Sequence, residues 1–312
     1  MFASVRQVGG SIGYVLIWFY SGRVPVRISS GALGQARGYA TLKEIQMRLK
    51  SISNIAKITK SMKMIASTKV TKAQRNMETA RAYGQSANSL LSHIEVVQKE
   101  ATNPLVVAVS SDRGLCGGIH SSVSRAVKRY MANHQEASIA VIGQKARNQI
   151  QRDYRENIII HFDQVTKVGP LWLEASMIAD QILGSKAEGG ADKLENGGTI
   201  VYNKFKSVIS YEATPLAVHS AETIAAAPKL AAYEVDDAIL KSYEEFTLAN
   251  SLYWALAEGY ASEMAAKRTA MENATKNAGE MITKLTLTYN RSRQAAITNE
   301  LIDIITGASS LN

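Results

Sequence analysis

The sequence is poor in the residues that interrupt or cross-link a chain. Of 312 residues, one is cysteine, five are proline and five are histidine. With Cys116 alone, no intrachain disulfide can form, and a zinc site built from several cysteines is excluded. His93, His120, His134, His161 and His219 are scattered, and no pair has metal-ligand spacing beside a carboxylate. They read as surface or satisfied core histidines. No catalytic constellation is visible, so neither enzymatic chemistry nor a cofactor is expected of this chain. There is no internal repeat.

Acidic residues are missing from the first 39 positions, which hold Arg6, Arg23, Arg27 and Arg37; the first carboxylate is Glu44. A basic, acid-free, Ser- and Gly-containing leader reads as a mitochondrial transit peptide (residues 1–39), because a membrane potential draws positive charge inward. Arg37-Gly-Tyr39 before Ala40 resembles a matrix-processing site. The apolar run from Ile12 to Tyr20 is too short to span a bilayer. It keeps a secretory signal or an anchor open as alternatives.

Proline is also absent from 41–103 and from 229–306. In the first stretch Leu42, Ile45, Leu49 and Ile52 begin a helical seam, which shifts phase through Ile55, Ile58, Met62 and Ile65. It then settles into Ala66, Val70, Ala73, Met77, Ala80, Gly84, Ala87, Leu91 and Ile94. Small residues in such a seam allow a neighbouring helix close approach. Thr41 with Glu44 makes a capping box at its start, and Pro104 ends it. The second stretch, expected to be helical from Lys229, carries Phe246, Ala249, Tyr253, Leu256, Tyr260, Met264, Met271, Ala278, Met281 and Leu285 at similar spacing. A helix of this length, about 115 Å at 1.5 Å per residue, needs a partner along its side.

Between them the pattern alternates. Short apolar runs at 105–110, 138–142, 157–162, 199–205 and 208–213 read as strands. The intervals 119–133, 144–154 and 170–183 read as helices. Gly184 to Gly198 reads as a surface loop, and Pro215 and Pro228 bracket a linker. The expected fold is therefore α/β: a Rossmann-like domain (104–228) inserted between an N-terminal helix (40–103) and a C-terminal helix (229–312). The two helices form an antiparallel coiled coil.

Charge is uneven. The formal net charge is +9. From Leu42 to Arg81 ten basic residues face two acids, Glu44 and Glu78. Like charges one turn apart repel, so this face is either well solvated or matched to an acidic partner. A nucleic-acid-binding coiled coil is one reading, although aromatic residues are absent from the stretch. The turn Ser110-Ser-Asp-Arg-Gly-Leu-Cys-Gly-Gly118 lacks G-x-G-x-x-G spacing and a following G-K-[ST], so it reads as a structural turn. Cys116 reads as a small buried hydrophobe. Ile297, Leu301, Ile304 and Ile305 form one stripe near the C-terminus, to be covered by this chain or by another.

Ala40-Thr-Leu-Lys-Glu-Ile45, Ile58-Thr-Lys-Ser-Met-Lys-Met-Ile65, Ser111-Asp-Arg-Gly-Leu-Cys-Gly117 and Ile297-Thr-x-Glu300-x-x-Asp303-x-x-x-Gly307-Ala308-x-Ser310 together resemble the gamma subunits of ATP synthases. The resemblance covers the chain from Ala40 onward. It implies a non-catalytic rotor shaft inside a ring of alpha and beta subunits. The α/β domain would lie near the c-subunit ring, beside delta and epsilon, on the matrix side of the mitochondrial inner membrane. It implies coupling contacts to beta subunits at Met62 and Lys63 on the first helix and at Arg293, Gln294, Thr298 and Glu300 on the last. It also implies an apolar tip, 297–311, in a hydrophobic sleeve. The cysteine pair of chloroplast members is missing here.

Overall fold

In a computed structural model, residues 41–96, 104–184 and 197–310 are described. The leader, most of the loop expected at 184–198 and Leu311 lie outside them. The chain divides into two compact units. One is Ile52–Met281, and the other comprises, among the described residues, 41–51 with 282–310.

Helix α1 spans Leu42–Ala87. Its first turn is the expected capping box: the Thr41 N–H donates to Glu44 Oε2 at 2.9 Å, and the Glu44 N–H donates to Thr41 Oγ1 at 3.4 Å. It does not run to Pro104. The Tyr243 hydroxyl takes the Ala87 carbonyl, at 2.9 Å. That carbonyl is the acceptor a continuing helix would use. A short α2 (Ser89–His93) follows, and Glu95 turns the chain with φ +54. Ile94, counted in the seam from sequence, is instead buried beside Ile224, Ala227 and Leu240.

Five strands follow: β1 (Leu105–Val109), β2 (Ser138–Ile142), β3 (Ile158–Phe162), β4 (Gly198–Phe205) and β5 (Tyr211–Val218). Their order is β3-β2-β1-β4-β5, with only β5 antiparallel. Helices α3 (Ile119–Asn133) and α4 (Gln144–Ile150) cover one face, burying Val123, Val127 and Ile150 on Val106 and Ala108. Helix α5 (Trp172–Gly184) and the last helix cover the other, through Ile178, Leu248 and Leu252 on Val107 and Val109. Alternation along the fully buried β1 serves both cores. β5 lies later than the expected 208–213 and passes through Pro215. As an edge strand it needs no N–H there.

A small helix α6 (Ala221–Ala225), capped by Ser220, precedes α7. Helix α7 spans Asp237–Ser309, 73 residues. It begins eight residues after the expected Lys229, because residues 230–232 form a 3-10 turn and 233–236 leave it. Within the larger unit α1 and α7 run antiparallel. Partners descend on one helix as they rise on the other: Thr59 with Thr275, Lys63 with Glu272, Arg81 with Glu258, Asn88 with Ser251. Val70, Ala73 and Met77 pack against Ala261, Met264 and Ala265. At Gly84 even a Cβ would come within 3.0 Å of the Trp254 ring.

Glu258 is the polar centre of this junction. Its side chain is 0% exposed. It accepts from Arg81 Nε at 2.8 Å, from Trp254 Nε1 at 2.8 Å and from the Phe205 N–H of β4 at 3.0 Å. The carboxylate in turn holds the Arg81 guanidinium above its ordinary pKa. Replacing Glu258 with Ala would leave the Trp254 and Phe205 N–H donors unpaired and strip the Arg81 guanidinium of its carboxylate, with only weaker neutral acceptors remaining to it. The expected loss is about 3–5 kcal/mol of unfolding free energy in urea titration of the isolated chain. A change under about 1 kcal/mol would show the junction is held otherwise.

Candidate partner interface

The register of α1 against α7 decides which side chains remain outside. The seam does not slip phase, as the positions of its isoleucines lead the sequence to suggest. It continues at 3, 4 spacing through Leu42, Ile45, Leu49, Ile52, Ala56, Thr59, Lys63, Ala66 and Val70, all buried or half-buried. Small or polar residues hold it at 56, 59 and 63. Ile55, Ile58 and Ile65 are displaced to the adjacent face, exposed by 51%, 58% and 54%. Met62 lies on the same stripe, at i, i+3, i+7, i+10 spacing. It opens, with Ile65, Ala66 and Met264, on a cleft of about 130 Å³ rimmed by Lys69, Arg113 and Lys267. Lys57, Lys60 and Lys72 are exposed around it. The outer face of α1 is therefore an apolar stripe in a basic border.

Lys63 differs from its neighbours. It occupies the seam and donates to Glu272 at 2.6 Å, with both side chains part-exposed. The ammonium pulls the Glu272 pKa below the usual carboxylate range. An acid from another chain would have to compete with an internal partner for it.

On α7 buried Met271 and Ala278 alternate with half-buried Thr275, Ile282, Leu285, Tyr289, Ser292 and Ala296. Met281, assigned to the seam from sequence, lies one residue off it and is exposed. Beyond Ala296 every residue to Ser310 is exposed, including Ile297, Leu301, Ile302, Ile304 and Ile305 at 53–68%. Arg293, Gln294, Thr298 and Glu300 are exposed on this stretch too, and Thr298 Oγ1 donates to the Gln294 carbonyl at 2.9 Å. Successive steps of 100° place Arg293 and Glu300 on one border of the Ile297–Leu301–Ile304–Ile305 stripe and Gln294 and Thr298 towards the other. The six residues thus fall in two groups, Met62 and Lys63 on the larger unit and the other four on the smaller.

The crevice at the C-terminal end of β1, where α/β folds hold ligands, is filled by the chain itself. Asp112 accepts from the N–H groups of Gln144 and Gln164 at 2.7 and 2.6 Å, and so caps the start of α4 with its own anion. Arg113 binds the carbonyls of Thr166 and Lys167, stacks over Tyr260 at 5.5 Å and lies 3.9 Å from Glu263. His120 bridges the Ser110 hydroxyl and the Arg113 carbonyl, each at 2.8 Å. Burial lowers its pKa and raises that of Glu263. The Ser–His pair resembles a nucleophile and base, but the space beside it is about 20 Å³. That volume holds a water and no substrate. Among the described residues no group of three or more histidine, cysteine or acidic side chains could hold a metal ion, and no helix is long and apolar enough to cross a membrane.

Long antiparallel helices with an α/β domain inserted between them, and apolar side chains left exposed on both, define a subunit of a larger assembly. The family model described as ATP synthase matches residues 41–311, and the chain belongs to that family. It is 45% identical over 294 residues to the mitochondrial ATP synthase subunit gamma of Yarrowia lipolytica, covering 93% of this chain and 98% of that one. It is also 45% identical over 281 residues to that of Drosophila melanogaster, covering 89% and 93%. Among solved structures it resembles a chain of the Tetrahymena thermophila mitochondrial ATP synthase central stalk and c-ring (TM-score 0.58, 27% identity, 70% and 99% covered). A chain of the Euglena gracilis mitochondrial enzyme shares the fold at TM-score 0.71 and 18% identity, with 88% and 95% covered. Nothing in these relatives supports the nucleic-acid-binding reading.

Cys116 is 1% exposed, and its thiol approaches the Gly114 carbonyl at 3.1 Å and Glu263 at 3.9 Å. Burial, with Glu263 adding to it, pushes its pKa up to about 12. The folded chain should therefore resist a disulfide reagent at pH 8, and should react at the rate of a free thiol once unfolded in guanidinium. Fast labelling of the native chain would contradict this placement.

Proposed function

We propose that this chain is the rotating central shaft of a mitochondrial proton-driven ATP synthase, peripheral to the matrix side of the inner membrane. The carrying observation is the displacement of Ile55, Ile58 and Ile65 out of the α1–α7 seam onto an exposed stripe that half-buried Met62 shares. An unpartnered pair of helices gains nothing by exposing them, whereas an enclosing ring of alpha and beta subunits can cover them. The shaft catalyses no bond change. It transmits torque from the c-subunit ring, with delta and epsilon beside the α/β domain, and its asymmetric surface drives the beta subunits through their conformations in turn.

The chemistry of the surface suits sliding. Exposed charges attract by about 0–1 kcal/mol a pair, enough to bias a position and too little to lock it. Met62 and Lys63 contact beta subunits from α1, and Arg293, Gln294, Thr298 and Glu300 do so from α7. Breaking Lys63 from Glu272 to meet an outside acid exchanges one weak ion pair for another, so the contact can be made and released within a turn. The exposed isoleucines beyond Ala296 turn in an apolar sleeve, where contacts are non-directional and resist rotation little.

Met62→Lys adds a charge inside the basic border of the stripe. In the assembled enzyme it should lower the protons pumped per ATP hydrolysed while leaving the complex assembled. Wild-type coupling in this variant would remove Met62 from the contact.

A further inference from the structure

We propose that the groove between α3 and α4 binds a phosphate-bearing anion. It lies on the sheet face opposite α7 and takes no part in the interface described above. Its volume is about 470 Å³, within the range of small-molecule sites. Arg125 and Lys128 line it from α3, and Arg152 lines it from the turn after α4. Asn148 and Gln149 supply amides, and no carboxylate lines it. Residues 119–157 hold seven basic side chains against three acids.

The groove is built. Gln149 Nε2 donates to Ser121 Oγ at 3.4 Å and ties the two walls together. Arg125 Nε donates to the Ser121 carbonyl at 3.2 Å, which orients the guanidinium and leaves its terminal nitrogens to be used. Lys128 is held by Asp153 at 2.5 Å. Arg125 and Arg152 have no such carboxylate among the described residues. Ser124, which also lines the groove, is 2% exposed, and its buried hydroxyl has no hydrogen-bond partner. A buried donor left unused is costly unless something accepts from it.

The wall therefore offers guanidinium, ammonium, amide and hydroxyl donors around one concavity. Its complement is a compact group with several charged acceptor oxygens, which a phosphate provides and a single carboxylate does not. The source is either a small soluble phosphate compound or the headgroup of an anionic phospholipid.

The test uses the full-length chain at low ionic strength. Binding of inorganic pyrophosphate is measured by calorimetry, and binding to phosphatidylglycerol vesicles by sedimentation against phosphatidylcholine vesicles. Arg125→Ala with Arg152→Ala should weaken the binding by about tenfold or more. Lys241→Ala with Lys284→Ala removes the same charge from exposed sites on α7 and should leave it within about twofold. Ser124→Ala keeps the fold, since that hydroxyl bonds nothing in the chain, and should weaken binding about threefold. Groove-dependent binding of pyrophosphate identifies a soluble source. Groove-dependent binding of the anionic vesicles alone identifies a headgroup. No binding of either, or equal losses in both arginine and lysine pairs, overturns the proposal.

Discussion

A single buried carboxylate sets the register on which the molecule depends. Glu258 has no exposure and three donors, one each from α1 and β4 and one from its own helix α7. A seam of alanines and valines cannot by itself choose between registers one heptad apart, because each offers similar small side chains. A buried charge can. Sliding α1 by a turn would strand Glu258 without Arg81, and such a loss outweighs what a few small apolar contacts return. Trp254 against Gly84 adds a steric stop at the same level. The junction also ties the helix pair to the sheet, because Phe205 ends β4 and both its N–H and its carbonyl are engaged, by Glu258 and Arg81.

The outward surface follows from that register. Once Ala66, Val70, Ala73 and Met77 are fixed in the seam, the same period places Ala56, Thr59 and Lys63 there and forces Ile55, Ile58 and Ile65 to the adjacent face. The apolar stripe and its basic border are consequences of packing, and function uses what packing leaves out. The same holds at the crevice of the sheet. Asp112 and Arg113 occupy the place where related folds bind ligands, which turns a binding motif into a brace between β1, α4 and the loop at 163–169.

Much of this was legible in the residues. The absence of proline marked both long helices, the capping box marked where α1 starts, and valine-rich runs marked the sheet. What was not legible depended on distant partners. Tyr243, 156 positions away, ends α1 by taking the Ala87 carbonyl. Pro215 reads as a strand breaker until the strand is known to be an edge. The isoleucines at 55, 58 and 65 read as a shifted seam because hydrophobicity alone does not distinguish a buried stripe from one awaiting another chain. Lys63 in the seam was the available signal: a charged residue at a heptad position, seven before Val70. Glu258 gave no sequence signal, since one acid in a long helix looks like any other.

A rotor shaft turns relative to the subunits around it. Ile209, 82% exposed in the turn between β4 and β5, can be replaced by cysteine and labelled while Cys116 stays buried. With the alpha and beta ring fixed to a surface and a visible probe on that cysteine, added ATP should turn the probe continuously in one direction. ATP hydrolysis at full rate with the probe stationary would show that the chain does not turn.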